Sequence, residues 1–201
     1  MNLPNTARAA PLAADDPRSQ NPQLEDLVNF VGYRPHALLT MARKPGVLPA
    51  VLGLVQTTLR GDGLIEPRLR FLLAAETCRG ARCAYSTVHA VHAAWHAGVD
   101  WALLAALPAY ADSAHFSERE RAALRIASAG ATLPVGDASQ AFDGARRHFS
   151  EEELIEIVSI VALFGWFNRW NSLMRTTLEP EPAQALHHVG WLQQLWKETH
   201  P

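Results

Sequence analysis

Two capping boxes punctuate the second half of the chain and constrain its class of structure. Ser117 stands three residues before Glu120, and Ser150 three before Glu153. In each pair the serine hydroxyl can accept from a helix N–H while the glutamate reaches back to the serine N–H. The first box opens a helix to about Ala129. The second opens a long one, about 150–174. Other segments repeat apolar residues at helical spacing: 24–31, 47–59 ending at Gly61, 66–78, 84–97 stopped by Gly98, and 186–196. Pro67 falls in a first turn, where its missing N–H costs little, and Gly80 is expected to break the helix that follows. Pro180 and Pro182 are expected to end the long helical region. No segment alternates as a strand does and no short-period repeat is present. The expected architecture is all-α and single-domain.

With 201 residues, 48% of them hydrophobic, the chain can build one sizeable core. A formal net charge of -2 and the lack of a nucleic-acid motif argue against nucleic acid or anionic lipid as partner. The longest apolar run, Ile155 to Phe167, contains Glu156 and is too short to span a bilayer. Residues 1–23 are rich in Pro, Ala, Asn and Asp, lack a signal-peptide layout, and read as a flexible tail ahead of a folded domain over 24–201. Two cysteines are too few for a secreted disulfide framework. A soluble cytoplasmic protein is expected.

The chemistry-bearing stretch is Cys83-Ala84-Tyr85-Ser86-Thr87-Val88-His89. Cys83 lies where one helix ends and the next begins, so its thiol faces unpaired N–H groups and the positive end of a helix dipole. Arg79 and Arg82 add positive charge. These are the surroundings in which cysteines become nucleophiles. His89 follows within reach as a base or proton donor. The plainer reading of Cys83 is a small buried hydrophobe.

From Pro67-Arg68-Leu69-Arg70 to Gly98 the chain resembles the signature region of the AhpD-like / carboxymuconolactone decarboxylase superfamily, Cys83-Ala84-Tyr85 matching its Cys-x-Tyr element. Phe116 to Leu124 resembles the family's next helix, and Phe149 to Arg169 its long C-terminal helix. The resemblance implies an all-α fold assembling into dimers, trimers or hexamers, and small-molecule chemistry near Cys83. It also marks departures. The family's Cys-x-x-Cys pair falls on Cys83 and Ser86, its histidine on Ala90 with His89 beside it, and its glutamate on Phe71. A serine cannot be oxidised as a thiolate is. The two-cysteine peroxidase cycle is therefore not expected, although Cys78 offers a substitute partner if it approaches Cys83.

Several further residues carry two readings each. Glu76, in the apolar run Phe71-Leu72-Leu73-Ala74-Ala75, is either the ion-pair partner of Arg79 or an acid–base group beside Cys83. His92 and His96, at i and i+4 and on one face with His89, either hold a metal or pack against a neighbouring subunit. No metal is assigned; these two are the weak candidates. Asn168 and Arg169 either belong to an interface or line the pocket with Tyr85, Arg169 holding a substrate carboxylate.

The leading expectation is a cofactor-free, AhpD-like small-molecule oxidoreductase, homo-oligomeric, with Cys83 as reactive thiol, His89 as proton carrier and Glu76 and Ser86 assisting. The alternatives are a cysteine-independent acid–base lyase or isomerase on a small carboxylate, and a non-catalytic oligomer.

Overall fold

This computed structural model describes residues 7–199, and among them the regular structure is helical, with no strand. The chain runs through α1 (Pro22–Val31), α2 (His36–Met41), α3 (Val47–Val55), a π-turn (Gln56–Arg60), α4 (Pro67–Gly80) and α5 (Ala84–His96). It continues through α6 (Trp101–Ala106), α7 (Glu118–Gly130), α8 (Ser139–Ala145), α9 (Glu151–Met174), α10 (Pro180–Ala183), α11 (Ala185–His188) and α12 (Gly190–Thr199). Both capping boxes form as expected, at Ser117 with Glu120 and at Ser150 with Glu153.

α4 is the centre of the molecule. Every residue from Leu69 to Cys78 is buried, and the helix packs against α5, α7 and α9. Gly80 does not break it. Gly80 is its last residue, and a Cβ there would meet the Ala131 Cβ at 2.6 Å, so the glycine serves close approach to the end of α7. The chain reverses instead at Arg82, which takes φ 54°. The Cys83 N–H then bonds the Cys78 carbonyl at 3.2 Å and Cys83 becomes the N-cap of α5. Gly98, at φ 88°, stops α5 as expected.

Three other elements differ from expectation. Residues 47–59 are not one α-helix, because α3 widens at Gln56 into the π-turn. The turn is held from inside by buried Arg70. Its guanidinium donates to the carbonyls of Leu59 (3.1 Å), Gly61 (2.9 Å) and Ile65 (2.6 Å) and pairs with Glu156 of α9 at 3.0 Å. The long helix runs to Met174 as expected, capped by Arg175 in the left-handed region, but Pro180, expected to end the long helical region, opens α10 instead. Residues 7–21, expected as part of a tail, lie against the body. Leu12 is buried, its N–H bonds the Leu39 carbonyl, and Arg43 donates to the Ala10 carbonyl at 2.7 Å. One apolar residue is enough to seat such a segment when its backbone groups find partners.

Candidate active site

An apolar cavity opens between α1, the π-turn, α4, α5 and α9 and encloses about 790 Å³, its open mouth included. Phe30, Phe71, Phe164 and Phe167 supply much of the wall, and Ser86, His89, Asn171 and Arg60 the polar groups. No carboxylate is among the lining residues.

Two residues remote in sequence fix His89. Its Nε2 lies 2.8 Å from Oε2 of Glu179, and its Nδ1 is 2.8 Å from the Tyr33 hydroxyl. An ionised carboxylate only accepts, so the proton on Nε2 points to Glu179, leaving Nδ1 of the neutral ring to accept from Tyr33. Glu179 is 2% exposed and saturated with donors. Oε1 accepts from the Tyr85 hydroxyl at 2.9 Å and from the N–H of His36, the first residue of α2. Burial by itself pushes the Glu179 carboxyl up. The His89 beside it, the His89 and His36 hydrogen bonds and the His36 ring more than offset this and hold it below the usual carboxylate value. Burial first, then the charge of Glu179, pushes the phenols of Tyr33 and Tyr85 well up, so both remain protonated donors. The Tyr85 ring also packs 4.2 Å from the His89 ring.

Ser86 faces the cavity, whereas Cys83 does not line it. Ser86 Oγ accepts from the Cys83 thiol at 3.2 Å and from Nδ2 of Asn171 at 3.0 Å. Asn171 is oriented in turn by the Thr176 hydroxyl, which donates to its Oδ1 at 2.9 Å. With both acceptor positions of Ser86 occupied, its own proton is left to donate. Cys83 is 5% exposed and borders a separate, more polar crevice with Arg82, Arg175 and Thr199.

The structure thus brings together Cys83, Tyr85, Ser86 and His89 and leaves the other sequence candidates elsewhere. Glu76 is fully buried but engages Arg79 through two contacts of 2.7 Å, and its charge also acts on Tyr110. Its ion-pair reading is the one the geometry bears out. Asn168 is buried beside Cys78, and Arg169 is exposed, reaching only the Gly165 carbonyl at 3.4 Å. Cys78 and Cys83 are both free thiols. His92 is 1% exposed, has Nε2 2.9 Å from Nε2 of Gln184, and packs 4.6 Å from His96. Burial, then the neighbouring His96 and His89, lowers its pKa to about 4. Among the described residues, no group of three or more His, Cys, Asp or Glu side chains is arranged to hold a metal.

Sequence reasoning missed Glu179, Tyr33 and Asn171. Glu179 sits in Leu178-Glu179-Pro180-Glu181-Pro182, whose prolines suggested only a stop, and Tyr33 follows the helix-ending Gly32. A polar residue at the end of an apolar helix, as Asn171 is, was the one local signal.

An apolar cavity, a histidine held between a carboxylate and a tyrosine, and a thiol at a helix start fit an all-α small-molecule enzyme scaffold. The chain belongs to the AhpD-like / carboxymuconolactone decarboxylase superfamily. It is similar to the debrominase Bmp8, solved as a Cys→Ala variant in complex with 2,3,4-tribromopyrrole, at 30% identity and a TM-score of 0.84, over 92% of this chain and 98% of that one. A peroxidase-related protein with an alkylhydroperoxidase AhpD core, from Ralstonia eutropha, matches at 19% identity and a TM-score of 0.73, over 86% and 94%. A peroxidase-related protein from a Silicibacter species matches at 17% and 0.74, over 92% and 98%. These last two likenesses speak for the fold alone. No protein-family model and no curated protein matches the chain. No described helix is long and apolar enough to cross a membrane.

Proposed function

We propose that the protein is a thiol-dependent oxidoreductase acting on an apolar, ring-bearing small molecule, with reductive removal of a ring halogen as the reaction class. The observation that carries this is the placement of His89, locked between Glu179 and Tyr33 in the cavity wall, one helical turn from the Cys83–Ser86 pair. The debrominase at 30% identity supports the reaction class.

In this reaction the Cys83 sulfur takes the halogen using its own electron pair. The ring carbon keeps the carbon–halogen bonding pair and receives a proton through His89, giving Ar–H and a sulfenyl halide at Cys83. Ser86 cannot close a disulfide, so an external thiol attacks the sulfenyl halide, releasing halide and leaving a mixed disulfide. A second external thiol frees Cys83. The sum is ArX + 2 RSH → ArH + RSSR + HX. Glu179 stabilises the charged imidazole as protons pass, and Ser86 supplies a hydrogen bond to the ring substrate or to the sulfur.

A second reading is favoured by the fact that Ser86, not Cys83, lines the cavity: acid–base catalysis by His89 alone, as a lyase or isomerase. One experiment separates them. Bromide release from brominated pyrroles, with excess free thiol, is measured for the wild type, Cys83→Ala and His89→Ala. Loss in both variants supports thiol chemistry. An activity that survives Cys83→Ala and dies with His89→Ala moves the assignment to the second reading.

The proposal includes a homo-oligomer. α9 is apolar around its circumference, and its outer stripe leaves Ile155 67% and Leu173 66% exposed, with Val158 and Trp166 between them. A helix of that pattern ordinarily has both faces covered. Light scattering on the wild type and on Leu173→Glu checks the assembly and the face that forms it.

A further inference from the structure

We infer that Arg60 is the anion-recognising residue of the cavity and that the substrate is an apolar, ring-bearing carboxylate. The inference rests on the reading of this cavity as the substrate site and adds the charge of what enters it.

The cavity contains one permanent charge. Among its lining residues Arg60 is the single Arg or Lys, and none is Asp or Glu. The buried acid nearest the relay, Glu179, lies behind His89 and is engaged by His89, Tyr85 and His36. Among the described residues no carboxylate pairs with Arg60. Its guanidinium instead lies over the Phe30 ring, 4.5 Å from the centroid, and Phe30 in turn stacks on Phe71 at 5.7 Å. A guanidinium laid on an aromatic face keeps its in-plane N–H fork free for a planar anion.

The backbone that carries Arg60 is held on both sides. It is the last residue of the π-turn, and the carbonyls before and after it, Leu59 and Gly61, are both gripped by Arg70. Arg70 is anchored by Glu156, and Gly63 packs so closely that a Cβ there would meet both side chains at 2.4 Å. An interruption in helical geometry, cross-braced by a buried ion pair, delivers a cation without a counter-ion to an apolar cavity. Such π-interruptions recur at functional sites. Preorganisation of this kind lowers the ordering cost of binding. A monoanion on an apolar ring satisfies both parts of the wall: the ring replaces water against the phenylalanines, and the carboxylate takes the fork of Arg60.

Titration calorimetry at neutral pH with 3,5-dibromobenzoate and its neutral isostere 3,5-dibromobenzamide tests the assignment. The wild type is expected to bind the benzoate at least about tenfold more tightly than the amide. Arg60→Gln is expected to abolish that preference, and Arg60→Lys to keep part of it. Equal affinity for the two compounds in the wild type, a preference that persists in Arg60→Gln, or no binding of either compound overturns the inference. The readout needs no turnover, so it separates from the reaction reading: Arg60-dependent binding without bromide release leaves this inference standing and removes that one. Bromide release together with no Arg60-dependent preference for the benzoate does the reverse.

Discussion

Glu76 and Glu179 are both buried carboxylates, at 0% and 2% exposure, and they serve opposite ends. Glu76 sits on α4 and faces Arg79, three residues away on the same helix, a cation that never gives up its proton. Glu179 sits beyond α9 and faces His89, an imidazole, a side-chain type that can pass protons in catalysis, 90 residues distant in sequence. Burial alone therefore does not mark a working acid. What distinguishes the two is whether the partner can exchange a proton and whether that partner touches a cavity. Arg79 does not line the apolar cavity, and His89 does.

The contrast can be broken at either carboxylate. The largest effect is expected at Glu76. Glu76→Ala leaves Arg79 without its partner and should lower stability by about 3 kcal/mol, read by urea denaturation, with activity per folded molecule unchanged. Glu179→Gln should do the opposite: a fall in kcat of about a hundredfold with a much smaller change in the denaturation midpoint, because the amide keeps the shape but not the charge behind His89. If Glu179→Gln proves as destabilising as Glu76→Ala, with kcat intact, the distinction fails.

His92 sharpens the comparison from the other side, as an imidazole with no acid to charge it. Its folded pKa, about 4, lies below the ordinary 6.5. Above 6.5 neither folded nor unfolded chain takes the proton. Between 6.5 and about 4 the unfolded chain takes it and the folded chain refuses, so stability falls as pH falls through that window. The expected loss is about 3 kcal/mol, and His92→Phe should remove that part of the slope in denaturation midpoints measured across the window. The smallest effect is expected at Tyr33→Phe. Losing the hydrogen bond to Nδ1 frees the ring of His89 and should lower kcat about tenfold, leaving KM nearly unchanged.

Local signals in the chain revealed most of the fold and about half of the site. Ser117 with Glu120 and Ser150 with Glu153 determine helix starts through contacts within four residues, and Gly98 ends α5 for a purely backbone reason. Cys83, Tyr85, Ser86 and His89 are legible together because one helix carries them. The remainder depends on tertiary structure. The π-turn exists because Arg70 grips it, and nothing in Gln56-Thr57-Thr58-Leu59-Arg60 announces that. Glu76 misleads because a charge in an apolar run looks like a site, whereas Arg79 had already satisfied it. Glu179 is invisible because its partners come from α2 and α5, brought near by the packing of the whole core.

That long reach has a consequence for when the relay exists. Tyr33, His89 and Glu179 come from the beginning, middle and end of the chain, and Glu179 stands in the short link between α9 and α10. Local openings of a native protein are cheapest in such links. A brief detachment of residues 176–183 would unhook His89 while the helices around α4 stay closed. Amide exchange in that link, compared with exchange in α4, would show how often the relay comes apart in an otherwise folded molecule.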